Sequence, residues 1–527
     1  MGKRVLLVGY EDQDNLGIRY LASRLLQEGH HTRIVAFGND PGPLLRVLER
    51  ERPDLVGFSL IFQYMVPEFA AVMRALRAAG SSAHFTVGGH YASFEPEEIM
   101  RFIPELDSVV RFEGEDTLAE LVAKLDEAST WRRTRGIAWR NGDKVVRNPP
   151  RAGRTSIDDF AEPDRRDIDY RTQELPTASV LASRGCPWKC TFCSIITFYQ
   201  ANGTKGRRRR NPIRVASELE ALVRDRGVRL VLFQDDDFLA GGPEARAWAI
   251  AVGKEMIRRG LHKEMRFKIA CRSDEVREDV LKPLIAAGLC HIYLGVESGD
   301  GASLASLAKH LKPEAHLRAG EILRKLDLSF DFGFMLLEPW STMAMARNNA
   351  RFLREFTADG WAAAGFCRTL PYVGTPIEKR LREEGRLIGP ALDAEYKFND
   401  PRVDLLWNFC LMAFEGRNFG KNATWNTLRG LLFDTHLDMP GRRRNPRWLA
   451  SARALVQASN GLMLDVLDGA LDLIERGDAR ALDDAELLAL AKLARREDIR
   501  VRRQLADMER GFRCLSFATL PSEAVDT

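Results

Sequence analysis

A chain of 527 residues with 45% hydrophobic and 29% charged side chains suits about three domains of roughly 100–200 residues each, and this near-average composition excludes a mostly disordered, collagen-like or coiled-coil protein. The 78 basic and 74 acidic residues leave a formal net charge of +4, which gives no electrostatic case for nucleic acid as a partner. Every apolar run is broken by charge or glycine well before about 18 residues, and the first, residues 5–8, is too short for a signal-peptide core, so a cytoplasmic protein with no membrane contact is expected.

In chain order, the first third alternates strand 4–8, helix 18–28, strand 31–36, helix 43–51, strand 55–59, helix 67–78 and strand 84–87. Short apolar strands alternating with amphipathic helices imply a parallel sheet covered on both faces. Ligands bind such sheets at the carboxyl ends of the strands, here loops 9–17, 60–65 and 88–93. A helix over 118–128 and a hairpin over 136–148, turning at Asn141-Gly142, follow. Residues 149–176 are rich in Pro, Asp and Arg, which suits a linker. The alternation then resumes to about residue 381, with strands 178–183, 228–234, 266–271, 291–295, 329–336 and 363–370 and helices such as 215–226, 279–287 and 313–326. About six such units suggest a barrel with its chemistry at the carboxyl ends of the strands. Beyond residue 390 the pattern is mainly helical, with long stretches over 448–475 and 484–508. The expected fold class is α/β: a doubly wound, Rossmann-like domain over 1–150, a linker over 151–176, a (β/α)6-type partial barrel over 177–385 and a mainly α-helical domain over 386–527.

The eight cysteines are unevenly spread. Cys271, Cys290, Cys367, Cys410 and Cys514 stand alone, as buried apolar thiols do. Cys186, Cys190 and Cys193 share one loop directly after a strand, and in a reducing compartment such a cluster is more often a metal site than a disulfide framework. A structural zinc ion would need a fourth nearby ligand, and the next cysteine is Cys271; a zinc site completed by a distant residue is the alternative. A four-iron cluster held by three thiolates leaves one iron open for a substrate or cofactor.

This loop, with Phe192 just before the third cysteine, resembles the signature of radical S-adenosylmethionine (SAM) enzymes, and the likeness runs from about residue 178 to 376. It implies a 4Fe-4S cluster on Cys186, Cys190 and Cys193, whose open iron chelates SAM for reductive cleavage to a 5'-deoxyadenosyl radical. The acidic strand end 234–238 looks like the segment that meets the methionine amino group through Asp236. Arg272-Ser273-Asp274 resembles the motif whose Arg reaches the methionine carboxylate. The segment 295–299, with Glu297 and Ser298, is similar to the one near the ribose, and 370–376 to the closing strand. An Asp run after a strand is otherwise a helix N-terminus, and a lone Glu is usually paired or at the surface. Their order on successive strand ends favours the SAM reading.

Three features lie on the N-terminal strand-end loops: Asp14, Asn15 and Gly17; Ser59 and Gln63; and Gly88, Gly89 and His90. Glycines there let the backbone approach a large ligand. Their order and separation resemble the cobalamin-binding domain fused to many radical SAM enzymes, and Glu113-Gly114 looks like the acidic turn that closes it. Methionine-synthase-like and mutase proteins place a His where this chain has Asp14, so the lower cobalt face is expected to lack a His ligand, which favours cob(I)alamin formation and methyl cycling. The competing reading is a flavodoxin-like scaffold without ligand.

The combination implies a cobalamin-dependent radical SAM methyltransferase that moves a methyl group from methylcobalamin to an unactivated carbon of a small natural-product-type or peptide substrate, served by an external low-potential electron donor. The alternatives are a non-methylating cobalamin radical enzyme (cyclisation, ring contraction or oxygenation) and, in another class, a cobalamin- or redox-sensing binding protein. A methylthiotransferase is disfavoured by the lack of a second N-terminal cysteine trio. The basic runs 205–210 and 442–444 read as solvated faces, although Arg208 and Arg209 lie where a substrate phosphate or carboxylate could be met. The C-terminal helices are expected to cap the barrel mouth, with Trp407, Phe409, Phe414, Phe419 and Trp425 packing the core rather than lining a pocket.

Overall fold

The structure, a computed structural model, describes residues 2–511 except Asp12, Lys205 and Lys421. The expectations placed on Asp12, Lys205 and Cys514 lie outside the described residues.

Seven strands form the N-terminal sheet: β1 (Arg4–Gly9), β2 (His31–Ala36), β3 (Leu55–Ser59), β4 (His84–Gly88), β5 (Ser108–Val110), β6 (Ile137–Asn141) and β7 (Lys144–Arg147), in the order β2-β1-β3-β4-β5-β6-β7. The first five are parallel and the β6–β7 hairpin adds antiparallel. The apolar runs feed both faces because successive side chains point to opposite sides. Leu6, Val8, Val56 and Phe58 join one buried cluster, while Val5, Leu7 and Leu55 join another. Strand β5 has three residues, too few to show a period in the sequence.

Residues 151–176 run over the surface as a strap anchored by a few buried side chains, among them Ile157, Arg165 and Tyr170. Arg165 donates to the Asp14 carboxylate (2.5 Å), the Tyr170 hydroxyl (2.8 Å), the Ser179 carbonyl (2.5 Å) and Glu218 (3.2 Å). Arg19 donates to Glu11 (2.6 Å), Asp167 (2.7 Å) and the Asp164 carbonyl (2.8 Å). The Arg and Asp content that reads as a linker consists of partners for buried charges.

Next come β8 (Thr177–Val180), a short antiparallel ribbon of β9 (Ser183–Arg184) and β10 (Arg208–Arg209), then β11 (Leu230–Phe233), β12 (Arg266–Arg272), β13 (Leu289–Glu297), β14 (Ser329–Leu337) and β15 (Cys367–Arg368). The large sheet is parallel, in the order β15-β14-β13-β12-β11-β8. Its edge strands do not pair with each other, so it is a curled half-barrel. Phe267, Ile269, Ile292, Leu294, Phe330 and Phe332 project outward into the main core with the surrounding helices. Cys271 and Cys410 are buried there as expected.

The inner face at the foot of the half-barrel is charged. Lys268, His291 and Asp331 each hold the third position of their strands. The C-terminal region was expected at the mouth, yet its helix Thr424–His436 closes this foot. Arg429 pairs with Asp331, His291 Nε2 lies 3.1 Å from Asp331, and Lys268 Nζ sits 4.5 Å from the centre of the Phe433 ring. Leu437 and Met439 pack on Leu230 and Leu232. A sheet that does not close leaves its inner face open, and this helix fills it with the partners those charges require. Against the upward push of burial, Arg429 and His291 hold the Asp331 carboxyl far below its ordinary range.

Burial pushes the Asp434 carboxyl on the same helix from 3.8 up to about 8, against Arg442 and Lys268. The native state therefore keeps a proton that the unfolded chain releases above about pH 4, and stability falls as pH rises from there to about 8. Asp434→Asn, which mimics the neutral form, is expected to match the parent near pH 4 and to exceed it at pH 8 by on the order of 5 kcal/mol, measured from urea unfolding at each pH.

Candidate functional site

The cysteine loop lies between three structural elements that fix it. The run into it is gripped by the acidic end of β11: Ala182 N–H donates to Asp235 (3.0 Å), the Ser183 hydroxyl donates to the same carboxylate, and Gly185 N–H donates to Asp236 (3.0 Å). Gly185 has φ +85 and no room for a Cβ, which would lie 2.5 Å from the Gly206 carbonyl oxygen. On the far side, Thr191 donates from its N–H to the Leu307 carbonyl (3.1 Å) and from its hydroxyl to the Ser306 carbonyl (3.0 Å). Its own carbonyl accepts from Ile377 N–H (3.0 Å). Phe192 packs against the main core.

Burial pushes the Cys193 thiol up to about 12 and that of Cys186 higher still. Burial also raises Cys190, with Lys309 and Arg272 opposing. Such thiols stay protonated until a metal displaces the proton. Among the described residues, no three His, Cys, Asp or Glu side chains gather at one point as a single metal ion requires. Three neighbouring thiols spread along a loop are instead placed like ligands to separate irons of one cluster.

The acidic run divides its work. Asp235 holds the loop, and Asp237 accepts from Leu239 N–H (3.2 Å) and Ala240 N–H (3.1 Å) to shape the turn. Burial and the Asp237 carboxyl push Glu275 up to about 10, so this pair shares a proton. Asp236 accepts from Gly185 N–H yet stays exposed beside Cys186 and Cys193, its carboxyl pushed up to about 7 by desolvation and by Asp235. Arg272 stacks over Trp188, 4.0 Å from the ring centre. Its Nε donates to Asp274 (3.0 Å) and its Nη2 to the Lys309 carbonyl (2.6 Å), while its buried Nη1 has no hydrogen-bond partner. Glu297, at φ +67, folds over bare backbone: a Cβ on Gly295 or Gly333 would come within 2.9 or 3.4 Å of its carboxylate. Ser298 is spent internally, since its hydroxyl donates to Asn349 (2.8 Å) and accepts from Asp300 N–H (3.1 Å).

Across the junction, the carboxyl edge of the N-terminal sheet carries a row of small residues. Gly9 pairs with Ala36 and Ser59 with Gly88, and the Ser59 Cβ lies 3.2 Å from where a Gly9 Cβ would be. Four adjacent strand ends thus carry no bulky side chain, which suits the approach of a large ligand.

The expected cobalamin residues are largely committed elsewhere. Asp14 accepts from Arg165, Tyr170 and Ser179 N–H (3.0 Å). Asn15 caps the helix Leu16–Gln27 by accepting from Ile18 N–H, and Gly17 lies 3.3 Å from that cap as a Cβ would measure it. Gly89, at φ +118, packs against Leu60 so closely that a Cβ would fall 1.9 Å from its carbonyl oxygen. Gly88 packs on Val110, and Gly114 lies against Val110 and Leu21. Gln63 accepts from Val373 N–H (2.9 Å). His90 is half-buried, 3.3 Å from the Ser194 hydroxyl and tilted against Phe198 with ring centres 4.2 Å apart. Glu113 pairs with Arg184 (3.1 Å) and Arg208 (2.7 Å).

Arg207, Arg208 and Arg210 of the first basic run are therefore consumed internally, whereas half-buried Arg209 meets exposed Glu244 at 3.8 Å. Arg207 donates to the Ser183 hydroxyl (2.7 Å) and the Phe238 and Ala240 carbonyls (2.8 and 2.9 Å), and Arg210 donates to Glu218 (2.5 Å). In the second run, Arg444 pairs with Asp327 (2.6 Å). A small open cleft of about 50 Å3 lies where the three parts meet, lined by Gln63, Tyr64, Arg368, Tyr372, Glu395 and Trp407. Trp407 touches it while packing in the same core as Phe409, Phe414 and Phe419, as expected.

The family model of the B12 binding domain matches residues 2–122, and that of the Radical SAM superfamily matches residues 180–347. This chain belongs to the cobalamin-dependent radical SAM enzymes. An uncharacterized methyltransferase of Pyrococcus horikoshii is 27% identical over 368 residues, 69% of this chain and 77% of that protein. The anaerobic magnesium-protoporphyrin IX monomethyl ester cyclase of Cereibacter sphaeroides is 27% identical over 65% of this chain and 55% of its own length. The hopanoid C-3 methylase of Methylococcus capsulatus is 26% identical over 68% and 67%. The structure of the cobalamin-dependent S-adenosylmethionine radical enzyme OxsB superposes with a TM-score of 0.74 at 16% identity, over 97% of this chain and 81% of that one. That of TsrM from Kitasatospora setae gives 0.60 at 19%, over 73% and 78%. These likenesses establish a shared fold. Among the described residues, no helix is long and apolar enough to cross a membrane.

The residues present fit the cofactors of such an enzyme: three thiols on a fixed loop for the cluster, the open Arg272 Nη1 and the exposed Asp236 carboxyl for SAM, and the small-residue strand edge for cobalamin. Sequence reasoning missed Lys309, whose ammonium lies 3.2 Å from Glu297, because nothing in the local pattern marks it. Cys190→Ala is expected to lose the cluster's iron and all SAM cleavage while keeping the cobalamin absorbance, checked by iron assay and by release of 5'-deoxyadenosine.

Proposed function

We propose that this enzyme is a cobalamin-dependent radical SAM methyltransferase acting on an unactivated carbon of a small substrate. What carries the reading is one junction: the cysteine loop touches the cobalamin domain directly, through Ser194 with His90 and through Arg184 with Glu113. This junction supports a reading in which both cofactors face one space, and the cleft of Gln63, Tyr372 and Trp407 also joins the N-terminal and C-terminal parts. The bound groups supply hydrogen-atom abstraction at carbon and methyl delivery, which no side-chain base offers because an unactivated C–H bond is far too weak an acid.

The chain's own residues bind and orient. Cys186, Cys190 and Cys193 would hold the cluster. Asp236, exposed at the strand end beside them, gains a charge most readily when an ammonium group pairs with it, so it suits the methionine amino group. Arg272, anchored by Asp274 and Trp188, offers one N–H, and Glu297 offers acceptors. The aromatic walls of the cleft shield the substrate from water. A sensing protein without turnover would need none of these contacts around Cys190. Two named relatives, a methyltransferase and a methylase, support methyl transfer. A cyclase at the same 27% identity keeps a non-methylating reaction as the second reading.

Cells producing the enzyme, fed methionine with a deuterated methyl group, are expected to accumulate a metabolite carrying that methyl intact. The reconstituted enzyme given this compound's unmethylated precursor is expected to release S-adenosylhomocysteine and 5'-deoxyadenosine together. Release of 5'-deoxyadenosine alone with an unlabelled product favours the cyclase-type reading, and turnover with release of neither compound refutes both.

A further inference from the structure

Lys309 stands in a strained and closely fixed turn beside Cys190. Its two chain neighbours, Ala308 and His310, both adopt left-handed backbone, at φ +51 and +53, and the facing Glu297 does so at +67. Each non-glycine residue held this way costs about 1 kcal/mol or more and persists only where its surroundings over-determine it. Those surroundings are visible here. Lys309 N–H donates to the Leu304 carbonyl (2.9 Å), Ala308 N–H donates to the Ala305 carbonyl (3.0 Å), and Arg272 Nη2 donates to the Lys309 carbonyl (2.6 Å). Thr191 of the cysteine loop ties down Ser306 and Leu307 just before it. The turn thus delivers a buried ammonium group to the cysteine loop, 3.2 Å from the Glu297 carboxylate.

The residue that sequence order nominates for the methionine carboxylate is poorly free to take it. A guanidinium grips a carboxylate with two parallel N–H groups, but Arg272 has committed Nε to Asp274 and Nη2 to the Lys309 carbonyl. Only Nη1 is open, which allows a single contact. A lysine needs no such edge, because its three N–H donors surround one point charge. We propose that Lys309 is the residue that binds the SAM carboxylate, and that Arg272 acts chiefly behind it as a positioning residue that clamps the Lys309 backbone. When the carboxylate arrives, Lys309 trades all or part of its contact with Glu297, whose oxygens are then available to SAM hydroxyls. The inference rests on the radical SAM reading.

The test uses enzyme with a reconstituted cluster and two probes, SAM and its decarboxylated analogue S-adenosyl-3-methylthiopropylamine, with binding measured by equilibrium dialysis. Lys309→Ala is expected to weaken SAM by about 30-fold or more and to leave the decarboxylated analogue unchanged within about threefold, with Lys309→Arg recovering part of the loss. The change that SAM causes in the electron paramagnetic resonance spectrum of the reduced cluster is expected to fade in Lys309→Ala at unchanged iron content. Equal weakening of both probes means a structural role and overturns the proposal, as does undiminished SAM binding. Wild-type enzyme with a full cluster and no affinity for SAM would instead overturn the radical SAM reading itself.

Discussion

A parallel half-barrel has an unpaired edge, and in this protein one buried ion pair closes it. Ser179 lies in the edge strand β8, and both its main-chain groups are met by side chains: its N–H donates to Asp14 and its carbonyl accepts from Arg165. Asp14 comes from the N-terminal domain and Arg165 from the strap, and the two pair with each other at 2.5 Å. Breaking such a pair by removing one member costs about 3–5 kcal/mol, because it leaves an uncompensated buried charge. The edge of the barrel, the strap and the first strand-end loop are thereby held in one arrangement.

Docking the two domains in this way places the candidate site. Gln13, beside Asp14, accepts from Gln234 at the end of β11 (2.8 Å), so the same contact that closes the edge also aligns the acidic strand end that grips the cysteine loop. Glu113 with Arg184 and Arg208 provides a second anchor, and His90 against Ser194 and Phe198 a third. Positional precision of this sort suits chemistry in which two bound groups and a substrate must meet within a few ångströms. The helix Thr424–His436 completes the frame from the opposite end. It fills the charged foot of the half-barrel, so the carboxyl ends of the strands remain the accessible side.

The strained backbone at Glu297, Ala308 and His310 stands where the cysteine loop, β13 and the turn after the helix Gly301–Ser306 converge. These left-handed residues occur together beside one cysteine, with Glu297 held by Lys309 and Ala308 by the Ala305 carbonyl. Strain that is paid for by the surrounding fold is a mark of a site whose geometry has been set in advance of its ligand.

The sequence alone determined the three-part architecture, most strand positions and the cysteine loop, because these depend on local periodicity and on spacing within a few residues. Strands β2 and β3 fall on the expected residues, and the Cys186, Cys190 and Cys193 loop follows a strand as expected. What the tertiary structure alone decided is which charges face a ligand and which hold the molecule together. Asp14, Glu113, Ser298 and Arg208 have the chemistry of binding residues but are consumed by partners far away in the chain, such as Arg165, Arg184, Asn349 and Glu113. Lys309 has no motif at all and becomes a site residue through a turn shaped by Arg272 and Thr191. A charge acquires its role from whatever neutralises it, and in a buried junction that partner lies at a sequence separation that local pattern does not reach.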